Sequence, residues 1–322
     1  MRALTYDEME AKFIKKHPNH RHSDGGKLCF EGVWKGAAPH NPSAPVWLQV
    51  RPEEKERLVM AVRFEPTEEK MTSVIHFCEQ SDTDESVWHP IPLVHARAIG
   101  GEDPFITTIH GEIIVATKYA LPVSKGFGGS VPCCTVLFKG KTLTSLKMCS
   151  VWNEVNCARP IELRSGKIGV FTRTRNEVSG HCVLEWRVVE KIQDISPEGL
   201  ARVDMIELNV FAPGEWGSVN EPNLCSDGTI TAIGHVAKHV TKDDVKYAII
   251  ELNFDPETGE HHQPTIIATR ESFLDGKAKS KRVSNVAYPA GIRFIDGRAI
   301  LYAGTSDAEV QTTDVTGRMD FH

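Results

Sequence analysis

The 322-residue chain carries 37 Lys and Arg against 43 Asp and Glu, a formal net charge of −6. That acidic balance excludes a general nucleic-acid or membrane-surface binder, whose partners demand a basic face. Charged content of 25% and hydrophobic content of 40% are those of a globular protein long enough to bury a sizeable core. No apolar run reaches the roughly 18 residues that a bilayer-spanning segment requires.

In chain order, the first predicted element is a short amphipathic helix within Met1–Lys16, acidic early and lysine-rich late. It lacks the uninterrupted apolar core of a secretory signal, and Arg318-Met319-Asp320-Phe321-His322 carries no peroxisomal-type address. Beyond the helix no long segment keeps a 3.6-residue period. Instead, strand-length apolar runs recur at Leu58–Val62, Ile113–Ala116, Ile168–Phe171, Ile230–Ile233 and Ala299–Tyr302.

These runs repeat. Glycine opens a turn before four of them, at Gly111, Gly166, Gly228 and Gly297, and Glu56 fills the same place in the first copy. The steps between these positions are 55, 55, 62 and 69 residues. A polar residue followed by proline precedes each turn: Asn41-Pro42, Asp103-Pro104, Arg159-Pro160, Glu221-Pro222 and Tyr288-Pro289. Proline is expected to hold the residue before it in an extended conformation and so to aim its side chain. The first copy fits less well, with 14 residues from proline to turn instead of 6 to 8.

Five copies of several strands each predict an all-β, five-bladed β-propeller with a short N-terminal helical segment. Residues 1–37 are expected to form an extension packing on a single catalytic propeller of residues 38–322. A sandwich with chance spacing is the competing fold.

Eight cysteines are scattered without a Cys-x-x-Cys pair, Cys133-Cys134 being the one adjacent couple, and no glycosylation acceptor is present. They read as buried structural thiols in a reducing, cytoplasmic protein. No metal-ligand spacing appears. His17, His20 and His22 lie in a polar segment, and Gly126-Phe127-Gly128-Gly129 lacks the strand–turn–helix setting of a dinucleotide loop. The basic run Lys277–Arg282 reads as an exposed loop.

A propeller brings equivalent residues of successive blades around one cavity. Seven positions after each turn residue stand Arg63, Lys118, Arg173, His235 and Gly304. Four of these five carry a cation or one that can form, a pattern suited to a small dianion such as phosphate. The proline-flanked set adds Asn41, Asp103, Arg159, Glu221 and Tyr288. Asn41 and Arg159 stand where a two-carboxylate furanosidase would need acids. One acid with an anion cradle suffices if phosphate is the nucleophile, so Asp103 is the candidate general acid. Taken singly, Asp103 fits turn initiation, Arg63, Lys118 and Arg173 fit solvated strand ends, and His235 fits a core histidine.

Taken as an ordered set, several motifs resemble a known family. They are Asn41-Pro42-Ser43-Ala44-Pro45, Asp103-Pro104-Phe105, Ile168 to Arg173, Glu215-Trp216-Gly217, Asn220-Glu221, Gly234-His235-Val236-Ala237 and Leu301 to Ala308. The sequence is similar to the mannosyltransferase/mannoside phosphorylase proteins of kinetoplastids and bacteria, glycosyltransferase family 108, formerly a domain of unknown function. These in turn resemble the β-mannoside phosphorylases of glycoside hydrolase family 130. The resemblance covers residues from about 38 onward and implies an inverting β-1,2-mannoside phosphorylase. Asp103 would protonate the glycosidic oxygen through a sugar hydroxyl, and phosphate would attack from the opposite face to release mannose 1-phosphate.

Arg173 and His235, joined by Arg159 and Lys118, would bind phosphate. Asn41, Arg63, Glu102, Asn220, Glu221, Tyr288 and Asp307 would bind sugar. Ala158-Arg159-Pro160 departs from the Asp-Ile-Arg-Leu pattern of many relatives. No metal or cofactor is implied beyond inorganic phosphate as co-substrate, no nucleic acid or membrane partner is expected, and the sequence leaves a homo-oligomer open. A GDP-mannose-dependent β-1,2-mannosyltransferase is the alternative enzyme, and a non-catalytic glycan-binding propeller is the alternative of another class.

Overall fold

The predicted hairpins set the architecture. In the computed structural model, which describes residues 2–21, 25–33, 37–66, 73–92, 99–120, 133–153, 157–175 and 182–319, every predicted turn glycine has positive φ. At His110-Gly111 and Asp296-Gly297 both residues are left-handed, closing two-residue loops between Ile109 and Glu112 and between Ile295 and Arg298. Such loops match the twist of the strands they join.

Each hairpin joins the inner strand of a blade to its second strand. Blade two runs Glu102–Ile109, Glu112–Ala120, Cys133–Gly140 and Lys147–Asn153, paired in that order. Blade three comprises Ala158–Glu162, Ile168–Arg175, Cys182–Val189 and Met205–Leu208, and blade four Trp216–Leu224, Ile230–Thr241, Asp244–Phe254 and Thr265–Ala268. Blade five has Ala287–Ile295, Arg298–Thr305 and Glu309–Asp314. Inner strands of blades two to five are neighbours in turn, and blade one contacts blade two through Arg57–Pro66 and blade five through Ala37–His40, so the five sheets form the predicted propeller.

Blade one explains the poor fit of the first copy. Its inner strand is split into Ala37–His40 and Val46–Leu48, both on Arg57–Pro66, with two prolines in the gap. Proline has no N–H for the ladder, so the strand cannot run through. Val74–Gln80 and Val87–Pro90 complete the blade.

The ring is closed by the start of the chain. Leu28 N–H donates to Val310 O (2.9 Å) and Thr312 N–H to Gly26 O (2.8 Å), which adds a short fourth strand to blade five. Cys29–Phe30 then pairs in parallel with Val87–Pro90 of blade one. A chain segment shared between the two end blades ties them together and covers the outer edges of Glu309–Asp314 and Val87–Pro90.

The N-terminal helix Tyr6–Lys16 begins at a Thr5/Glu8 capping box, as its acidic first turn suggests. It buries Tyr6, Met9 and Phe13 in the cluster between blades three and four, with Phe171, Trp186 and Phe254. Burying aromatic side chains of this size stabilises by roughly 2–3 kcal/mol each. Lys238 and Lys246 lie over the Tyr6 ring while pairing with Asp7 and Glu10.

The seven described cysteines are free. Cys78, Cys134, Cys157 and Cys182 are buried as expected, whereas Cys29 and Cys149 are exposed on outer strands. His22, Cys133's side chain and the 126–129 glycine run lie outside the described residues. Among the described residues no helix is long and apolar enough to cross a membrane.

Ring closure depends on close backbone approach at Gly25, where a Cβ would lie 2.0 Å from Thr312 O. Gly25→Val is therefore expected to lower stability by about 2–3 kcal/mol in urea unfolding. An unchanged midpoint would show that this segment does not close the ring.

Candidate active site

The inner strands contribute Asp103, Arg159 and Tyr288 near the end where each begins, and the second strands contribute Lys118, Arg173 and His235. Pro104 cannot donate to its neighbour, and the ladder shifts register between Glu102 and Phe105. Asp103, in this bulge, has φ 51, and Asn41, before Pro42, has φ 44. The expectation that proline holds these two residues extended is corrected here: both are left-handed. Asp and Asn tolerate that region, at a cost on the order of 1 kcal/mol. Further register shifts fall between Val219 and Glu221 and between Pro289 and Gly291.

The Glu102-Asp103-Pro104-Phe105 segment divides its labour. Glu102 pairs with Arg63 (2.9 Å) and Lys118 (3.8 Å). Asp103 Oδ1 accepts from Asn41 Nδ2 (3.2 Å) and lies 3.7 Å from Arg63 Nη1. Phe105 supports Arg159, whose guanidinium carbon is 5.1 Å from the ring centre. Arg159 Nη2 also donates to the Asp103 carbonyl (3.3 Å). Burial pushes the Asp103 carboxyl upward, but Lys118, Arg63, Asn41 and Arg159 together hold it below the usual range.

The three arginines Arg63, Arg159 and Arg173 are not equivalent. Arg63 is neutralised by Glu65 (2.5 Å) and Glu102. Arg159 is only 3% exposed, its Nε has no hydrogen-bond partner, and its two terminal nitrogens donate to backbone carbonyls. Arg173 donates to Gly217 O (3.4 Å). No Asp or Glu among the described residues pairs with Arg159 or Arg173. A buried guanidinium without a counter-charge is costly, and an incoming anion removes that cost.

His235 belongs with these two but carries no charge. Burial first, then Arg173, lowers it to about 3, against the opposing pull of Asp103. Its Nδ1 lies 2.8 Å from Asn220 Oδ1, so Nδ1 donates and Nε2 is left as an acceptor. The sequence marks His235 as a position where a cation can form, and burial beside Arg173 disfavours that form. Tyr288 and Tyr247 pack on the imidazole at 5.0 and 5.4 Å.

Asp103 is acted on by Lys118, Arg63 and Arg159, and His235 by Arg173, Asp103, Arg159 and Lys118, so these groups share one electrostatic environment. Asp307 (φ 51) occupies a turn of blade five beside left-handed Ser306, its carboxylate 4.0 Å from His40. Glu221 faces elsewhere. Its Oε2 accepts from Ile292 N–H (2.7 Å) and Asn223 (3.2 Å), and Gly291 is required there because a Cβ would lie 2.2 Å from that oxygen.

The repeat did not point to His40, Glu65 or Tyr247. His40 is fully buried, 3.6 Å from Glu65. Glu65 stands two residues after Arg63 on one strand, so alternation could have found it. Tyr247 lies on a third strand, where the glycine and proline landmarks give no register.

Burial raises the Glu221 carboxyl to about 7, although the bonds from Ile292 and Asn223 oppose this. The folded state then keeps a proton that the unfolded chain releases near 4.5, so stability declines as pH rises through about 7. Glu221→Gln is expected to match the parent at pH 5 and exceed it at pH 8 by on the order of 2 kcal/mol. Parallel pH–stability curves for the two proteins would contradict this assignment.

A protein-family model described as "Protein of unknown function (DUF1861)" matches residues 15–318. No curated protein matches the sequence. Among solved structures the chain is similar to a mannose phosphorylase from Leishmania mexicana in complex with phosphate ion, at 22% identity and a TM-score of 0.82, covering 96% of this chain and 92% of that one. A GDP-Man-dependent mannosyltransferase from the same organism gives 22% and 0.79, with 96% and 93% covered. A β-1,2-mannobiose phosphorylase from Listeria innocua, in complex with β-1,2-mannobiose, gives 14% and 0.58, with 89% and 93% covered. At these identities the likeness establishes a shared fold. The family model spans nearly the whole propeller, and the chain belongs to the DUF1861 family.

Proposed function

We propose that the chain is an inverting mannoside phosphorylase that transfers mannose between β-1,2-oligomannosides and inorganic phosphate. The observation that carries this reading is Arg159, held beside Asp103, together with Arg173, held beside His235, neither with an acidic salt-bridge partner among the described residues. Two guanidiniums and the Lys118 ammonium suit a tetrahedral dianion. Neutral His235 presents Nε2 as an acceptor for a phosphate or sugar hydroxyl. The solved relatives support the reading, since one is a mannose phosphorylase bound to phosphate and another a β-1,2-mannobiose phosphorylase.

The free site keeps Asp103 ionised, through the cations around it. A dianion at Arg159 and Arg173 offsets that positive field, raises the affinity of Asp103 for a proton and prepares it as the acid. A phosphate oxygen then forms its bond to the anomeric carbon as the glycosidic bond breaks on the opposite face. The proton from Asp103 goes to the departing oxygen, giving mannose 1-phosphate and a shortened oligomannoside. Phosphate is the nucleophile, so no base is required to activate water. Asn41, Arg63, Glu102, Asn220, Tyr288 and Asp307 remain the sugar-binding candidates, whereas Glu221 is better cast as a tie between blades four and five.

Incubation with β-1,2-mannobiose should yield mannose 1-phosphate by phosphorus NMR only when phosphate is present. Release of free mannose at the same rate without phosphate would reject phosphorolysis, and turnover with GDP-mannose but not mannose 1-phosphate would favour the transferase. Asp103→Asn should retain the fold, because Asn also accepts the left-handed conformation, and lose about 10³-fold in kcat. Full function in that variant would favour a non-catalytic glycan binder. Arg173→Met should raise the phosphate KM by about tenfold or more while changing that for mannobiose far less.

A further inference from the structure

The Lys277–Arg282 run, four cations in six residues, takes no part in the inner site. It lies in the exposed connection from blade four to blade five, and several contacts fix its course. The Lys279 N–H donates to Ser306 O (3.0 Å), and its ammonium pairs with Glu65 of blade one. Tyr247 N–H donates to Asn285 O (3.1 Å), fastening the end of the connection to blade four. Val283, like Trp216 and Tyr247, packs against the buried cluster of Val245, Val286 and Tyr288, and its helical turn lies against the Asp244–Phe254 strand.

This anchoring places the helical turn Lys281–Val283 beside Tyr247. The Tyr247 ring stacks on His235 at an interplanar angle of 10°, and its hydroxyl accepts from Trp216 Nε1 (3.1 Å). A contiguous path therefore leads outward from Arg173 and His235, over the partly exposed Tyr247 and Trp216, to Lys281 and Arg282. The charge balance along this rim is uneven. Lys238 is paired with Asp7, Lys246 with Glu10 and Lys279 with Glu65. Lys281 and Arg282 are exposed and have no acidic partner among the described residues.

We propose, on the sugar-transfer reading above, that Lys281 and Arg282 bind a second phosphate group, carried by the substrate and held outside the inner anion site, with Tyr247 and Trp216 as an apolar floor. Solvated cations bind such a group at little desolvation cost, and the attraction is screened by salt. A phosphate ester on the glycan and the distal phosphate of a nucleoside diphosphate sugar present the same chemistry.

The test compares the parent with a Lys281→Glu/Arg282→Glu variant, whose changes fall on exposed side chains. Each ligand is paired with a counterpart lacking the second phosphate: β-1,2-mannobiose 6′-phosphate with β-1,2-mannobiose, and GDP-mannose with mannose 1-phosphate, which lacks that phosphate together with its guanosine, so that charge reversal at Lys281 and Arg282 isolates the phosphate's share. At low salt the parent should favour the phosphate-richer member of at least one pair by about tenfold in kcat/KM. That preference should shrink to within about twofold in the variant and in 0.3 M salt, while phosphorolysis of plain mannobiose stays unchanged.

The pair that shows the preference identifies the source of the phosphate. No preference in either pair, or one that survives charge reversal, overturns the proposal. Calorimetric binding of the same ligands separates this outcome from failure of the catalytic reading: binding that depends on Lys281 and Arg282 without any turnover would count against the enzyme assignment alone.

Discussion

Proline placed near the start of an inner strand is the constraint on which this site depends. Its missing N–H interrupts the ladder next to the axis, where the strand would otherwise present a regular pleat. In blade two the interruption is a bulge that turns Asp103 left-handed, and in blade one it breaks the strand outright and does the same to Asn41. The two residues meet across the blade boundary, amide to carboxylate. The strain is tolerated because surrounding contacts hold both residues.

The second organising feature is the division of charge around Asp103. Arg63 and Glu102, with Glu65 and Lys279 behind them, form a compensated network that fixes geometry without inviting an ion. Arg159 and Arg173 differ because their contacts are carbonyls, an aromatic face and each other's neighbourhood. Cations of one residue type at related positions thus take different roles, depending on whether a carboxylate stands within reach. The same distinction separates Lys238 and Lys246, spent on the N-terminal helix, from Lys281 and Arg282 on the rim.

The N-terminal segment links fold and site. Tyr6 N–H donates to Glu215 (2.7 Å), which precedes Trp216 and Gly217, and the Gly217 carbonyl receives Arg173. Further along, Gly26 and Leu28 complete blade five. Closure of the ring and orientation of the anion-facing guanidinium therefore rest on neighbouring stretches of the chain.

Glycine, proline and apolar alternation are local properties, so the number of blades, the four glycine turns and the strands bearing Asp103, Arg159, Arg173 and His235 were all present in the sequence. The helix and its cap were equally legible, because capping involves residues only three apart. Charge state and partnership were not. Whether a guanidinium is neutralised depends on residues tens or hundreds of positions away, as Lys279 and Glu65 illustrate, and whether His235 is charged depends on its burial beside Arg173. Glu221 carried the same proline signature as Asp103, yet only packing against Gly291 turned its carboxylate toward blade five. The repeat determined which residues could converge; the tertiary structure decided their direction and charge, because desolvation and counter-charge are set by neighbours that no local pattern specifies.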